Sequence, residues 1–73
     1  MTKCVVAGAA GRMGVRIMDT IYQTEGTSLA GATEMQGHPR LGSDVGELLG
    51  RGKTSISIVD SLEKISQDYD VLI

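Results

Sequence analysis

The chain has 73 residues, one cysteine, two tyrosines and no tryptophan or phenylalanine, and its seven basic and nine acidic side chains leave a net charge of −2. Without a basic stripe or an aromatic platform, the composition speaks against nucleic acid as a partner. A single cysteine excludes an internal disulfide, no apolar run approaches the roughly eighteen residues of a membrane span, and the apolar run after Lys3 breaks at Gly8, too early for a secretory leader. The expectation is a cytoplasmic chain with no membrane partner.

In chain order, Lys3-Cys4-Val5-Val6-Ala7 reads as a strand buried on both faces, because Val5 and Val6 are adjacent and β-branched. Cys4 is expected to be a buried core thiol. Gly8 lets the backbone leave the strand in a tight turn, and a helix begins at once. Met13, Ile17, Met18, Ile21 and Tyr22 recur at three- and four-residue spacing and predict its buried face, with Arg16, Asp19 and Gln23 on the other side. Gly26 is its natural terminator. A second strand is predicted over 28–33, and Met35 to Pro39 reads as a loop. The lone His38 in that loop has no second ligand at metal-site spacing.

Residues 41–50 stay open. Val45, Leu48 and Leu49 fit one helical turn, whereas Gly42, Gly46 and Gly50 oppose a long helix. The alternation Ser55-Ile56-Ser57-Ile58-Val59 predicts a third strand. Asp60 is expected to cap a short helix with Glu63 as its capping-box partner, turning Leu62 and Ile65 inward. Asp70-Val71-Leu72-Ile73 opens a fourth strand. This order predicts an α/β fold, the first half of a Rossmann-type doubly wound parallel sheet. Residues 1–73 would form one dinucleotide-binding domain, truncated in its fourth strand. Doubly wound domains belong to chains of roughly 100–200 residues, so burial here is marginal, and the isolated polypeptide is expected to be inactive and poorly folded.

The chemistry concentrates at Gly8-Ala9-Ala10-Gly11-Arg12-Met13-Gly14. A glycine turn between strand and helix lets a pyrophosphate approach the backbone, and the helix directs free N–H groups and its positive dipole end at the anion. The common fingerprint is G-x-G-x-x-G; here Ala10 stands at its second glycine, small enough for close approach. Glu34, twenty positions after Gly14 and just past the second strand, sits where an acid accepts hydrogen bonds from the adenosine ribose. The plainer reading takes the glycines as packing residues and Glu34 as a solvated carboxylate. Gly50-Arg51-Gly52-Lys53-Thr54 ends like a phosphate-binding P-loop, but Glu47 occupies the place of its first glycine and a strand pattern follows instead of a helix.

Residues 5–14, Glu25-Gly26, Leu41-Gly42-Ser43-Asp44-Val45-Gly46-Glu47-Leu48, Gly52-Lys53-Thr54 and Asp70-Val71-Leu72-Ile73 together resemble bacterial 4-hydroxy-tetrahydrodipicolinate reductase, also called dihydrodipicolinate reductase, over essentially the whole chain. The resemblance implies a cytoplasmic, homotetrameric enzyme of the diaminopimelate and lysine route. It would reduce a small cyclic dicarboxylate with NADH or NADPH. Gly8, Ala9, Ala10, Gly11, Arg12 and Met13 would correspond to the cofactor loop and Glu34 to the ribose-binding acid. Catalytic residues and the substrate and tetramerisation domain lie later in family members, so none is assigned within these residues, and no metal is implied. Many members carry arginine after that glutamate, where it can pair with the 2′-phosphate of NADP; this chain has Met35. Arg12 could still offer one charge, and NADH is expected to serve at least as well as NADPH. A non-catalytic dinucleotide-binding module remains the alternative, and a fragment whose glycines serve packing alone is a third reading.

Overall fold

A computed structural model describes residues 1–73. Four parallel strands form one sheet in the order β3-β2-β1-β4, with β1 at Thr2–Ala7, β2 at Thr27–Thr33, β3 at Ile58–Val59 and β4 at Val71–Leu72. This order is half of the doubly wound arrangement, and it reverses between β1 and β4. Backbone bonds extend the short β4 ladder: Asp70 N–H donates to Lys3 O at 2.8 Å, Ile73 N–H to Val5 O at 2.8 Å, and Ala7 N–H to Ile73 O at 2.9 Å.

Helix α1 spans Arg12–Gln23 and lies against β1 and β2. Its buried stripe is Gly14, Met18 and Ile21. Met13, expected on that face, is 70% exposed. The cause is Gly14. Its backbone rests directly on Gly8 and Ala9, and seating that contact rotates Met13 toward solvent. The helix ends three residues before Gly26, which forms a left-handed turn at φ +85° and accepts Thr2 N–H at 2.7 Å. Thr27 Oγ1 closes the helix end by donating to Ile21 O at 2.9 Å.

The core joins Cys4, Val6, Ala9, Met18, Ile21, Leu29, Ala32, Val45 and Ile58. Full burial of a side chain such as Met18 contributes about 1.5–3 kcal/mol. Cys4 is a buried free thiol, as its place in the strand predicts. An irregularity in β2 sets which residues reach this core. Cys4 pairs with Leu29 but Val5 pairs with Gly31, so Ala30 is an extra residue. The bulge shifts the alternation by one and brings Leu29 and Ala32 to the same face. Gly31 turns to the opposite face, where Ile65 covers it so closely that a Cβ would lie 2.8 Å from Ile65 Cδ1.

Three local expectations are corrected. The third strand shrinks from 55–59 to Ile58–Val59, because Ser55 adopts φ +66°, Ile56 O accepts Val45 N–H at 2.8 Å, and Ser57 bridges antiparallel to Asp44. Asp60 caps no helix. Ser61 precedes a single 3-10 turn at Leu62–Lys64 without a side-chain cap, while Asp60 pairs with Lys64 Nζ at 2.7 Å. Ile65 packs inward on Gly31, but Leu62 is 38% exposed. The open segment 41–50 resolves into a four-residue helix α2, Val45–Leu48.

Candidate functional site

The site lies at the carboxyl ends of β1 and β2, beside the reversal of strand order where open parallel sheets bind ligands. β1 ends at Ala7, and Gly8 turns the chain at φ +65°, a conformation that strains any residue with a Cβ. Gly11 N–H closes the turn on Gly8 O at 3.1 Å. Gly11 is then the N-cap of α1, extended and without a side-chain cap, and no acid stands in the first turn. The N–H groups of Arg12, Met13 and Gly14 therefore have no acceptor within the helix. The helix end presents its dipole and these donors together.

Besides Gly11, two further amides of the turn are already engaged. Ala9, fully buried, donates its N–H to Thr33 O at 3.0 Å, which ties the turn to the end of β2. Ala10 donates its N–H to Glu34 Oε2 at 2.9 Å. The other carboxylate oxygen, Oε1, accepts Met35 N–H at 2.9 Å, and Glu34 N–H reaches across to Val59 O at 2.9 Å. The Glu34 carboxyl is held below the usual range, first by the Met35 amide, then by the Ala10 amide, the His38 charge and the Gly11 amide, against partial desolvation. It is a fixed anion at neutral pH, and each oxygen keeps lone pairs for hydroxyl donors.

All seven residues singled out in the sequence thus come together: Gly8, Ala9, Ala10, Gly11, Arg12 and Met13 in one turn, and Glu34 bonded to it. Ala9 and Ala10 contribute small size and a fixed backbone course. Arg12 and Met13 are exposed at the mouth of the turn. The segment that resembled a P-loop has a different task. Gly52 O lies where a Cβ on Gly46 would stand, and Thr54 binds Asp44, so the 50–55 loop is folded onto α2.

Asp44 is the residue the sequence reading passed over. Its Oδ1 accepts Gly46 N–H at 2.8 Å, Thr54 N–H at 3.0 Å and Thr54 Oγ1–H at 2.9 Å, and its Oδ2 accepts Ser55 N–H at 2.7 Å. These bonds, the Thr54 amide foremost, lower its carboxyl to about 2. The signal was present: Asp44 and Glu47 have the same capping spacing as Asp60 and Glu63. Arg51 secures the same loop to α1 through Asp19 at 2.9 Å and lies over the Tyr22 ring at 5.4 Å. No group of three or more His, Cys, Asp or Glu side chains assembles as a metal site, and no helix is long and apolar enough to cross a membrane.

Parallel sheet, strand order and glycine turn define the front part of a Rossmann-type α/β domain. The particular family is shown by comparison: the model of the family "Dihydrodipicolinate reductase, N-terminus" matches residues 2–73, and the chain belongs to that family. It is 47% identical over 73 residues to the 4-hydroxy-tetrahydrodipicolinate reductase of Geotalea daltonii (strain DSM 22248 / JCM 15807 / FRC-32). It is 48% identical over 73 residues to the protein of the same name from Geotalea uraniireducens (strain Rf4). Both alignments cover 100% of this chain and 27% of the relative, so the chain spans about a quarter of each relative's length.

Proposed function

We propose that this chain seats the pyridine dinucleotide of a cytoplasmic reductase that converts 4-hydroxy-tetrahydrodipicolinate to tetrahydrodipicolinate on the diaminopimelate and lysine route. The observation that carries this reading is the Glu34 carboxylate, bonded to Ala10 N–H at 2.9 Å and standing beside the open amides of Arg12, Met13 and Gly14. A dinucleotide needs two kinds of partner, donors for its diphosphate and an acceptor for its adenosine ribose. Both occur here at one mouth.

The residues fit the group. A Cβ on Gly11 would already stand 3.3 Å from Gly8 O, so a larger side chain there would fill the cradle. The bound nicotinamide supplies hydride for reduction of a conjugated cyclic imine. The chain's own residues orient it. The open amides of Arg12, Met13 and Gly14 hold the diphosphate, Glu34 accepts the ribose hydroxyls, and Arg12 adds a positive charge near the adenosine end. None of these residues is placed to move a proton. The homotetrameric assembly and the dicarboxylate substrate belong to the proposal for the whole enzyme.

Glu34 also repels a 2′-phosphate, and Met35 offers that phosphate nothing. NADH is therefore expected to bind at least as tightly as NADPH, and a clearly smaller NADPH dissociation constant refutes this preference. The main test is fluorescence titration with NADH of the protein that carries this chain, with Gly11→Val and Glu34→Ala. Loss of a charge-assisted hydrogen bond of about 1.5–3 kcal/mol weakens binding by roughly tenfold to a hundredfold. Unchanged affinity in both folded variants overturns the proposal.

A further inference from the structure

Building on the dinucleotide reading above, we propose that Asp44 is a positioning residue for the ribose acceptor: through Thr54, Ser55 and β3 it fixes the main chain from which Glu34 reaches the cofactor turn. Glu34 follows the last residue of β2. Its N–H donates to Val59 O at 2.9 Å, across to the end of β3. β3 is only two residues long, Ile58–Val59. So short a strand makes few ladder bonds, and the place of Val59 O has to be held from outside the sheet.

Residues 42–45 provide that hold by running along the outer edge of β3. Gly42 N–H donates to Ile58 O at 2.9 Å, Ile58 N–H to Ser43 O at 3.0 Å, and Val45 N–H to Ile56 O at 2.8 Å. β3 therefore lies between β2 on one side and this segment on the other. The Asp44 side chain leaves the same segment and binds the residues just ahead of β3. Its carboxylate accepts Thr54 N–H at 3.0 Å, Thr54 Oγ1–H at 2.9 Å and Ser55 N–H at 2.7 Å, so two consecutive amides converge on one group.

Ser55 shows what those bonds accomplish. It stands at φ +66°, and no other non-glycine residue of the chain has a positive φ. A residue with a Cβ adopts this left-handed conformation rarely, and it persists where surrounding bonds over-determine it. Here the Ser55 amide makes the shortest of the Asp44 bonds. The carboxylate thus holds the bend that aims the chain into β3, and through Val59 O it holds Glu34.

The two oxygens of Asp44 divide the work, which makes the brace separable from the helix cap. Oδ1 caps α2 through Gly46 N–H at 2.8 Å and also takes the Thr54 hydroxyl. Oδ2 accepts only from Thr54 N–H at 3.2 Å and Ser55 N–H at 2.7 Å. Asparagine is as good an N-cap as aspartate. Asp44→Asn therefore keeps an oxygen for the cap and turns an amino group, a donor, against the Ser55 N–H.

The test is a double-mutant cycle, read by NADH titration of the protein that carries this chain as wild type, D44N, E34A and the double variant. With Glu34 present, D44N is expected to weaken NADH binding about fivefold, a coupling usual for groups joined in one hydrogen-bond network. In the E34A background it is expected to change binding by less than about twofold, because the group it positions is gone. Equal weakening in both backgrounds shows a general structural role and overturns this inference alone, as does a folded D44N with wild-type affinity. If E34A binds NADH as wild type does, the ribose acceptor of the dinucleotide reading falls and this inference with it. Hydrogen exchange reads the same link without cofactor. In D44N the Glu34 amide is expected to exchange about tenfold faster while the Met18 and Ile21 amides of α1 keep their protection, and unchanged protection of Glu34 overturns the inference. Should D44N not fold, Thr54→Val removes the Thr54 hydroxyl from the same carboxylate and keeps its amide. Its Glu34 amide is expected to exchange about threefold faster, and equal exchange there overturns the inference as well.

Discussion

Gly14→Ala sets two physical effects against each other at one position. Inside a helix, alanine is better than glycine by about 1 kcal/mol, so propensity alone forecasts a more stable protein. The structure forecasts the opposite. The new Cβ would fall on Gly8 O and lie 2.7 Å from Ala9 Cα and 2.9 Å from Ala9 C. These are main-chain atoms of a turn held by the Ala9–Thr33 and Ala10–Glu34 bonds, so nothing can swing aside. The helix has to retreat by about 1 Å, which loosens Met18 and Ile21 against the sheet and withdraws the Arg12, Met13 and Gly14 amides. Overpacking costs about 1–3 kcal/mol, and a clash with main chain belongs at the upper end. Subtracting the propensity gain leaves about 2 kcal/mol of destabilisation. Urea unfolding of the protein that carries this chain, paired with an NADH titration, measures both consequences. A G14A variant that is as stable as wild type and binds NADH equally well would refute the reasoning.

Two further outcomes are expected. Asp44 has its carboxyl lowered to about 2 from 3.8, so its stabilisation is complete above about pH 4 and disappears as the pH falls through 2. Asp44→Asn should lower stability at pH 7 and flatten its decline between pH 4 and 2; equal acid-unfolding curves for D44N and wild type would contradict the role of the Asp44 bonds. The isolated 73-residue polypeptide leaves Val71, Leu72 and Ile73 39%, 48% and 48% exposed along the β4 edge, and it is expected to bind no NADH and to melt without a cooperative transition. A sharp, reversible melt monitored by circular dichroism would show that its small core suffices.

Much of the fold was legible because its signals are local. Val5-Val6 before Gly8, the helical spacing from Met18 to Ile21 and the run at 28–33 each point to one conformation, and the strands fall where expected to within a few residues. The failures came where one local pattern has two outcomes. Alternation at 55–59 fits a strand edge or a brace for a neighbouring loop, and the bonds of Val45 and Asp44 to this segment select the brace. The capping spacing occurs at Asp44 and at Asp60. Thr54 and Ser55 return to satisfy Asp44, whereas Lys64 draws Asp60 away.

The candidate site divides in the same way. The amino-acid order by itself determined a strand, a glycine turn, a helix and an acid one strand later, because steric freedom at Gly8 and the length of a β-α-β unit are properties of a short stretch of chain. Only the tertiary structure decided that Glu34 bonds Ala10, that Gly14 serves helix packing and that Met13 faces solvent. Each of these depends on a contact between segments distant in sequence or on the rotation of a whole helix. Such contacts are settled by close packing of the assembled layers, to which no single stretch of residues has access.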